Sequence, residues 1–359
     1  MVLQRLRVLN SIAMLRLADV AVTTMWAVSG TLRRPRLPAP TDPTLILTVV
    51  DRTVVALDEN VVALTLARTD GSALPPWHPG AHIDVALPSG RVRQYSLCGD
   101  PSRNDSYRIA VRRIPSGGGG SLEVHDALPV GASITTSGPR NAFPLSVPGY
   151  GSPTRRVRFI AGGIGITPIL PMLDLAERLN VDWSMIYAGR SAESIPFLDE
   201  VRRFGDRVRI RTDDVDGLPT ADELLGECAS GTTVYACGPA PMLTAIRQRL
   251  IGRDDVELHF ERFAAPPVLD GEAFGVTVAS SRTEIAVAAD ETLLTALQRA
   301  GVNPPYSCQQ GFCGTCRIRV LNGVVQHRDT VLTDNERDGG MMLTCVSRAA
   351  AGSALTLDL

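Results

Sequence analysis

Four cysteines near the end of the chain are spaced for iron. Cys308 is followed by Cys313 after four intervening residues, by Cys316 after two more, and by Cys345 after a further 28. A Cys-x4-Cys-x2-Cys run with a distant fourth cysteine is the plant-type [2Fe–2S] spacing. Each iron needs two soft anionic ligands beside the bridging sulfides, so four thiolates are required, three of them from one tight loop. Gly311 and Gly314 suit that loop, because small residues let backbone N–H groups approach the sulfurs. Zinc is the alternative, but zinc sites are usually built from paired Cys-x2-Cys knuckles, and only one such pair is present.

Three further stretches carry residue types that bind phosphates and flat rings. In Arg93-Gln94-Tyr95-Ser96-Leu97 an arginine can pair with a phosphate, while an aromatic and a hydroxyl address a flavin ring and its edge. Arg112-Arg113 follows, and then a glycine run at 117–120 that opens a helix at Ser121; Gly119, Gly120 and Ser121 would offer free N–H groups and a positive dipole end to a phosphate. The third stretch, Gly162-Gly163-Ile164-Gly165-Ile166-Thr167-Pro168, stands directly after an apolar strand and opens a helix. It departs from the G-x-G-x-x-G fingerprint, since Pro168 takes the place of the third glycine, but close backbone approach and a helix end for a pyrophosphate remain. Cys237-Gly238-Pro239-Ala240-Pro241-Met242 is a second such strand end, and the two loops are expected to share one crevice. Cys237 alone would read as a small buried core residue.

The elements that must hold these residues fall into blocks. From residue 45 to about 144 short β-rich runs at 61–66, 82–87, 91–97, 107–114 and 132–136 alternate with Gly, Pro, Asp and Asn, the pattern of a small barrel or sandwich, with one helix at 121–128. From about residue 155 strands at 157–161, 183–188, 207–211, 233–237 and 256–260 alternate with helices at 168–179, 197–204 and 241–250, which implies a parallel sheet covered by helices. Ala264-Ala265-Pro266-Pro267 reads as a linker. The last block is a small α+β unit: a hairpin at 274–279 and 283–288, a helix begun at Asp290, a hairpin turn at Asn322-Gly323, a Thr333/Glu336 capping box and a closing strand at Leu355, Leu357 and Leu359. The expected domains are a leader at 1–44, a barrel at 45–150, an α/β domain at 151–265 and the cysteine-bearing domain at 270–359.

A net charge of −2 with a pI near 6.2 gives no reason to expect a nucleic-acid partner. Seven cysteines, an odd number with Cys98, Cys228 and Cys237 scattered and the other four crowded at one end, suggest metal ligation in a reducing compartment rather than a secreted disulfide framework, and a cytoplasmic location is expected. The leader holds six arginines against Asp19 and Asp42, and its longest uncharged run, residues 20–32, is shorter than the ~18–20 residues that cross a bilayer. Arg16 and Asp19 interrupt any secretory signal. A basic helix lying on a membrane or partner is the sharper reading. A flexible leader, or a true start at Met14 or Met25, is the favoured one.

The flavin motif, the Gly-Gly-x-Gly-Ile-Thr-Pro loop, the Cys-Gly-Pro loop and the cysteine cluster occur in the order seen in the phthalate dioxygenase reductase-like class, which includes vanillate demethylase reductases. The chain resembles that class from about Leu45 to Leu359. The resemblance implies a multidomain protein: a β-barrel flavin domain, an α/β parallel-sheet nucleotide domain and an α+β β-grasp ferredoxin domain. It implies FMN rather than FAD, NADH and a [2Fe–2S] cluster as cofactors. Arg93, Tyr95 and Ser96 would hold the flavin, with Arg113, Gly119, Gly120 and Ser121 near its phosphate, and Phe263 would stack on the isoalloxazine where nicotinamide enters. Gly118 departs from the class, which often has a basic residue there. NADH delivers two electrons as a hydride and the cluster accepts one at a time, so a flavin, with three stable oxidation levels, bridges the mismatch. Phe263, Ser96 and Cys237 are the candidate catalytic residues. No acid or base is needed for the hydride step, so His78, His82, His125, His259 and His327 are read as surface or structural. Gly189-Arg190-Ser191, after the second α/β strand, leaves NADPH open as an alternative, since an arginine and a serine there could accept a 2′-phosphate. The acceptor is expected to be an oxygenase component, a Rieske-type enzyme first, docking transiently on Gln309, Gln310, Gly311 and Phe312 with Asp334, Glu336 and Asp338 as steering charges. The same build feeding a cytochrome P450, a desaturase or a di-iron hydroxylase is an alternative, and a cluster-carrying sensing module without turnover is another.

Overall fold

A computed structural model describes residues 44–115, 119–146, 155–263, 268–306, 309–311, 314–329 and 331–359. The leader up to residue 43, the 264–267 linker, Gly117, Gly118, Phe312 and the thiols Cys308 and Cys313 lie outside the described residues.

Seven strands form the first sheet: β1 (Leu45–Val54), β2 (Val61–Ala67), β3 (Ala81–Ala86), β4 (Val92–Ser96), β5 (Ser106–Arg112), β6 (Ser133–Thr136) and β7 (Arg140–Asn141). Their order is β4-β3-β6-β1-β2-β5, with β7 on β3, and every pairing is antiparallel. A bridge between Leu97 and Ile109 joins the two outer strands and closes the barrel. Alternation explains the strands: Leu45, Leu47 and Val49 of β1 are buried, and the residues between them face outward. Val124 of α1 (Gly120–Ala127) packs into the barrel core with Leu47, Leu64, Leu66, Ile83 and Ile109.

The second sheet is wholly parallel, in the order β10-β9-β8-β11-β12, from β8 (Arg156–Gly162), β9 (Trp183–Gly189), β10 (Val208–Thr212), β11 (Thr232–Cys237) and β12 (Val256–Glu261). Its helices are α2 (Ile166–Arg178), α3 (Leu198–Arg202), α4 (Asp213–Asp216), α5 (Ala221–Leu225) and α6 (Ala240–Arg249). The chain order reverses between β8 and β11, so a crevice opens at the carboxyl ends of those two strands. One face of the sheet shares its core with the barrel: Phe159, Tyr187 and Tyr235 pack with Val61, Ala63, Ala110 and Phe143. The Tyr235 hydroxyl accepts from Ser146 N at 2.7 Å and donates to Pro144 O, while Arg108 of β5 forms a two-bond ion pair with Glu200 of α3.

The third sheet has the order β14-β13-β19-β15-β17, from β13 (Phe274–Val278), β14 (Thr283–Val287), β15 (Arg317–Asn322), β17 (Met341–Leu343) and β19 (Leu355–Leu357). Its centre is a parallel pair, β13 with β19, and the other pairings are antiparallel. Leu293, Ala296 and Leu297 of α7 (Leu293–Arg299) share its core with Val276, Ile285, Ile318 and Leu357. The helix starts at a Thr292 cap that accepts from Thr295 N, two residues later than the expected Asp290. Asn322-Gly323 turns the chain without making a hairpin: β15 pairs with β17 and β19, whereas β16 (Val325–Gln326) pairs with β18 (Arg348–Ala349). The Thr333/Glu336 capping box is present on α8 (Asp334–Asp338). Arg348 is buried and donates to three backbone carbonyls, those of Glu272, Ala288 and Glu291, which ties the entry strand, the hairpin and the approach to α7 together. Among the described residues, no helix is long and apolar enough to cross a membrane.

Candidate functional site

A cavity of about 310 Å³ opens where β4, β5 and the start of α1 meet the Gly162–Pro168 loop. Its walls include Arg93, Gln94, Tyr95, Ser96, Arg112, Gly120, Ser121, Thr167 and Phe263, nine of the residues singled out from the sequence. Barrel pairing puts Ser96 opposite His82 and Gln94 opposite Asp84. Asp84 holds Gln94 by accepting from its side-chain amide at 3.0 Å and is itself paired with Arg140. Burial pushes the Tyr95 phenol up to about 12, so it stays a neutral donor. Phe263 stands just past β12 and half of it is exposed at the cavity rim.

The phosphate corner is recognisable from what a methyl group would strike. A Cβ on Gly120 would stand 2.7 Å from Arg93 Nε, so only glycine leaves room for the guanidinium against the first turn of α1. Gly119 has φ 77°, a conformation that glycine adopts freely, and among the described residues no side chain caps the helix N-terminus beside it. An arginine, uncapped N–H groups and the Ser121 hydroxyl fit a flavin phosphate.

Arg113 does not join them. It lies next to Arg112 at the end of β5, where consecutive side chains point to opposite faces, and it pairs with Asp126 of α1 at 2.8 Å on the outside. Arg112 reaches the other way: it donates to Ser194 O at 3.1 Å, and a Cβ on Gly163 would stand 3.1 Å from its Nη1.

The two glycine loops interlock at the sheet's switch point. A Cβ on Gly165 would stand 2.2 Å from Cys237 O, and one on Gly162 would stand 2.6 Å from Pro239 Cδ and 3.1 Å from Met242 Sδ. Gly238 likewise has no room for a side chain beside Met242 and Gly162. Tyr187 Oη, 3.0 Å from Gly163 O, braces the loop from below. Thr167 donates to Ile164 O, and Pro168 is buried in the first turn of α2. The resulting crevice is lined by backbone, as a pyrophosphate site requires.

Cys237 is fully buried beneath this loop, and burial, with Glu261 beside it, pushes its thiol well above its ordinary value. It is a packed, neutral thiol that does not line the flavin-side cavity. Arg190 is exposed just beyond β9 and lines neither described cavity.

Of the four cluster cysteines, Cys316 and Cys345 are described; both are buried in one apolar group with Leu294, Leu332, Leu343 and Tyr306. Cys316 O accepts from Thr344 N, which fixes the two strand ends to each other. Gly311 (φ 82°) and Gly314 (φ 73°) turn the chain just before Cys316, and a Cβ on Gly311 would strike Val346. Two buried thiols, one at the end of a glycine-turned segment and one from a distant strand end packed against it, suit soft-metal ligation. A larger cavity of about 560 Å³ has Cys345 and Val346 on one wall and His259, Phe260 and Arg262 on the other, so the cysteine unit faces the strand end that carries Phe263. Gln310 donates to Arg262 O at 2.9 Å and Gly311 is buried, so these two turn inward rather than forming the expected outer tip.

Sequence reasoning missed Ala110, Val111, Ile114 and Ile164 in the flavin-side cavity, because apolar residues at strand ends read as core. It also missed Glu261, a buried carboxyl with its pKa pushed up to about 8. Its place at the carboxyl end of a parallel strand, directly before Arg262-Phe263, was the available signal.

Residues 276–350 match the family model described as a 2Fe-2S iron-sulfur cluster binding domain. The chain is 41% identical over 307 residues to phenoxybenzoate dioxygenase subunit beta of Ectopseudomonas oleovorans, covering 84% of this chain and 93% of that one. Among solved structures it is similar to phthalate dioxygenase reductase, described as a modular structure for electron transfer from pyridine nucleotides to [2Fe-2S], with a TM-score of 0.67, 32% identity and 89% and 98% of the two chains covered. It is also similar to an intact type IV self-sufficient cytochrome P450 monooxygenase (TM-score 0.70, 37% identity, 90% of this chain), of which it spans 43%. With barrel, parallel sheet and cysteine-bearing unit in that order and these identities over nearly its whole described length, the chain belongs to the phthalate dioxygenase reductase family.

Proposed function

We propose that the chain takes a hydride from NADH onto FMN and passes the electrons singly, through a [2Fe–2S] cluster on Cys308, Cys313, Cys316 and Cys345, to an oxygenase component. The observation that carries this is one of placement. Phe263 sits on the rim of the flavin-side cavity, and the carbonyl of its neighbour Arg262 holds the cysteine loop. When bound, FMN supplies the conversion between two-electron and one-electron chemistry.

The chain's own residues bind and orient. Arg93, Gly119, Gly120 and Ser121 take the flavin phosphate; a single phosphate corner favours FMN over FAD. Gln94, Tyr95 and Ser96 hold the ring edge. Phe263 covers the ring until nicotinamide displaces it, and Gly162, Gly163, Gly165, Gly238 and Arg112 receive the pyrophosphate. Cys237 supports this loop from below. Exposed Arg190 makes no built site for a 2′-phosphate, which favours NADH. Domains at 45–150, 151–265 and 270–359 divide the work in that order, and the reading places the protein in the cytoplasm.

The oxygenase docks transiently near the cluster. Glu336 is paired with Arg317 and Arg337 with Asp329, which leaves exposed Asp334 and Asp338 to steer a basic partner. A Rieske-type oxygenase is the first choice.

Adding NADH without oxygen tests the core of the reading, and the visible bands of flavin and cluster should bleach. Flavin released by heat should be FMN, and FAD as the main species would remove that assignment. Reconstitution with Rieske, P450 and di-iron oxygenases then follows substrate-dependent NADH use across ionic strength. Coupled turnover with a P450 or di-iron partner alone would overturn the Rieske choice. Failure to reduce any protein acceptor faster than free oxygen would overturn the carrier role.

A further inference from the structure

One side-chain hydrogen bond ties the cysteine loop to the strand end beside the flavin cavity. Tyr306 packs among Leu294, Cys316, Leu343 and Cys345 at the entry to that loop, and Gln310 makes the contact across. Its side-chain N–H donates to Arg262 O at 2.9 Å across 48 positions of sequence. Gly311, next to it, has φ 82° and no room for a Cβ against Val346, so its backbone packs closely on that side chain.

We propose that Gln310 is a positioning residue for electron transfer out of the flavin site: its amide locks the cluster loop to the carbonyl that precedes Phe263. This rests on the reductase reading above. Each transfer moves one electron; two discharge the hydride taken from one NADH, and the remaining proton goes to solvent. Because electron transfer weakens steeply with separation and disorder, a loop that has lost this bond spends less time at the transfer distance. A glutamine suits the task, since it donates without adding charge beside the cluster.

The test uses the full chain loaded with flavin and cluster, in wild-type form and as Gln310→Ala and Gln310→Glu, by rapid mixing with NADH. In Gln310→Ala, NADH should bleach the flavin within twofold of the wild-type rate while cluster reduction slows about 5- to 10-fold, the value of one neutral hydrogen bond. Backbone hydrogen exchange over 306–316 should quicken in the same variant. Gln310→Glu adds a pH signature. An ionised carboxylate cannot donate to a carbonyl and a protonated one can, so cluster reduction should recover as pH falls from 8 to 5.5, with a flat wild-type profile. If Gln310→Ala sheds its cluster, the Gln310→Glu profile decides. Wild-type transfer rates in both variants, or loss of the cluster from both, would overturn the role of Gln310 alone. A wild-type protein whose flavin NADH cannot bleach would overturn the reductase reading and this role with it.

Discussion

Replacing Gly120 by alanine should separate flavin binding from folding. The new Cβ would stand 2.7 Å from Arg93 Nε and 2.9 Å from its Cγ, whereas carbon contacts settle near 3.5–4.0 Å. The guanidinium must therefore move by about 1 Å, away from the N-terminus of α1. The helix itself loses nothing, because Gly120 is its first residue and alanine is the better helix former by about 1 kcal/mol. What is lost is a charge-assisted contact to the flavin phosphate, worth roughly 1.5–3 kcal/mol, or about 10- to 100-fold in affinity. Titration of the flavin-free protein with FMN, followed by fluorescence, measures it, and thermal unfolding of the same protein should be unchanged or slightly raised. Arg93→Ala should show a similar loss, and the double variant should be no worse than Arg93→Ala alone, since both changes remove one contact. FMN affinity within twofold of wild type in Gly120→Ala, or additive losses in the double variant, would refute the reasoning.

Glu261 is buried with its carboxyl raised to about 8 from 4.5, and among the described residues its Oε2 has no hydrogen-bond partner. The folded state keeps the proton and the unfolded state sheds it, so stability is full below about 4.5 and falls as pH rises toward 8, by ~1.4 kcal/mol per unit. Urea unfolding of Glu261→Gln should be flatter across that window; equal slopes in the two proteins would contradict this. Arg348→Met should cost about 2–4 kcal/mol, because three part-buried carbonyls lose the buried guanidinium that they share, and a loss below about 1 kcal/mol would show that they find other partners. Cys313→Ala should abolish the cluster's visible and paramagnetic signals while NADH still bleaches the flavin. Loss of flavin reduction in a folded variant would count against hydride transfer preceding electron exit.

Legibility in the sequence followed locality. Strand and helix alternation from residue 155 onward is a local, periodic signal, and each expected strand of the parallel sheet appears within about two residues of its place. The Thr333/Glu336 box was readable because its partners are three residues apart, and the matching Thr220/Glu223 box on α5 carried the same signal unread. Asn322-Gly323 misled because turn chemistry specifies a reversal but not which strand the chain then joins. Arg113 misled because charge suggested a phosphate while strand alternation, equally present in the sequence, sent its neighbour inward and it outward. The contact from Gln310 to Arg262 and the shared packing around Tyr235 join residues from different blocks, and no periodicity announces such pairs.

The common core under Phe143, Phe159 and Tyr235 has a thermodynamic consequence. Barrel and parallel sheet have no separate apolar interiors on that side, so opening one exposes the other, and the two should melt in a single calorimetric transition. The cysteine-bearing sheet packs around its own cluster of Val276, Ile285, Leu297 and Leu357. Flavin bound to the barrel would then protect the strands of the nucleotide sheet against proteolysis by the full linkage term, which reaches about 2.7 kcal/mol when free flavin is a hundredfold above its dissociation constant. Donor and acceptor halves of the hydride step are thereby aligned by one folding event, before either ligand arrives.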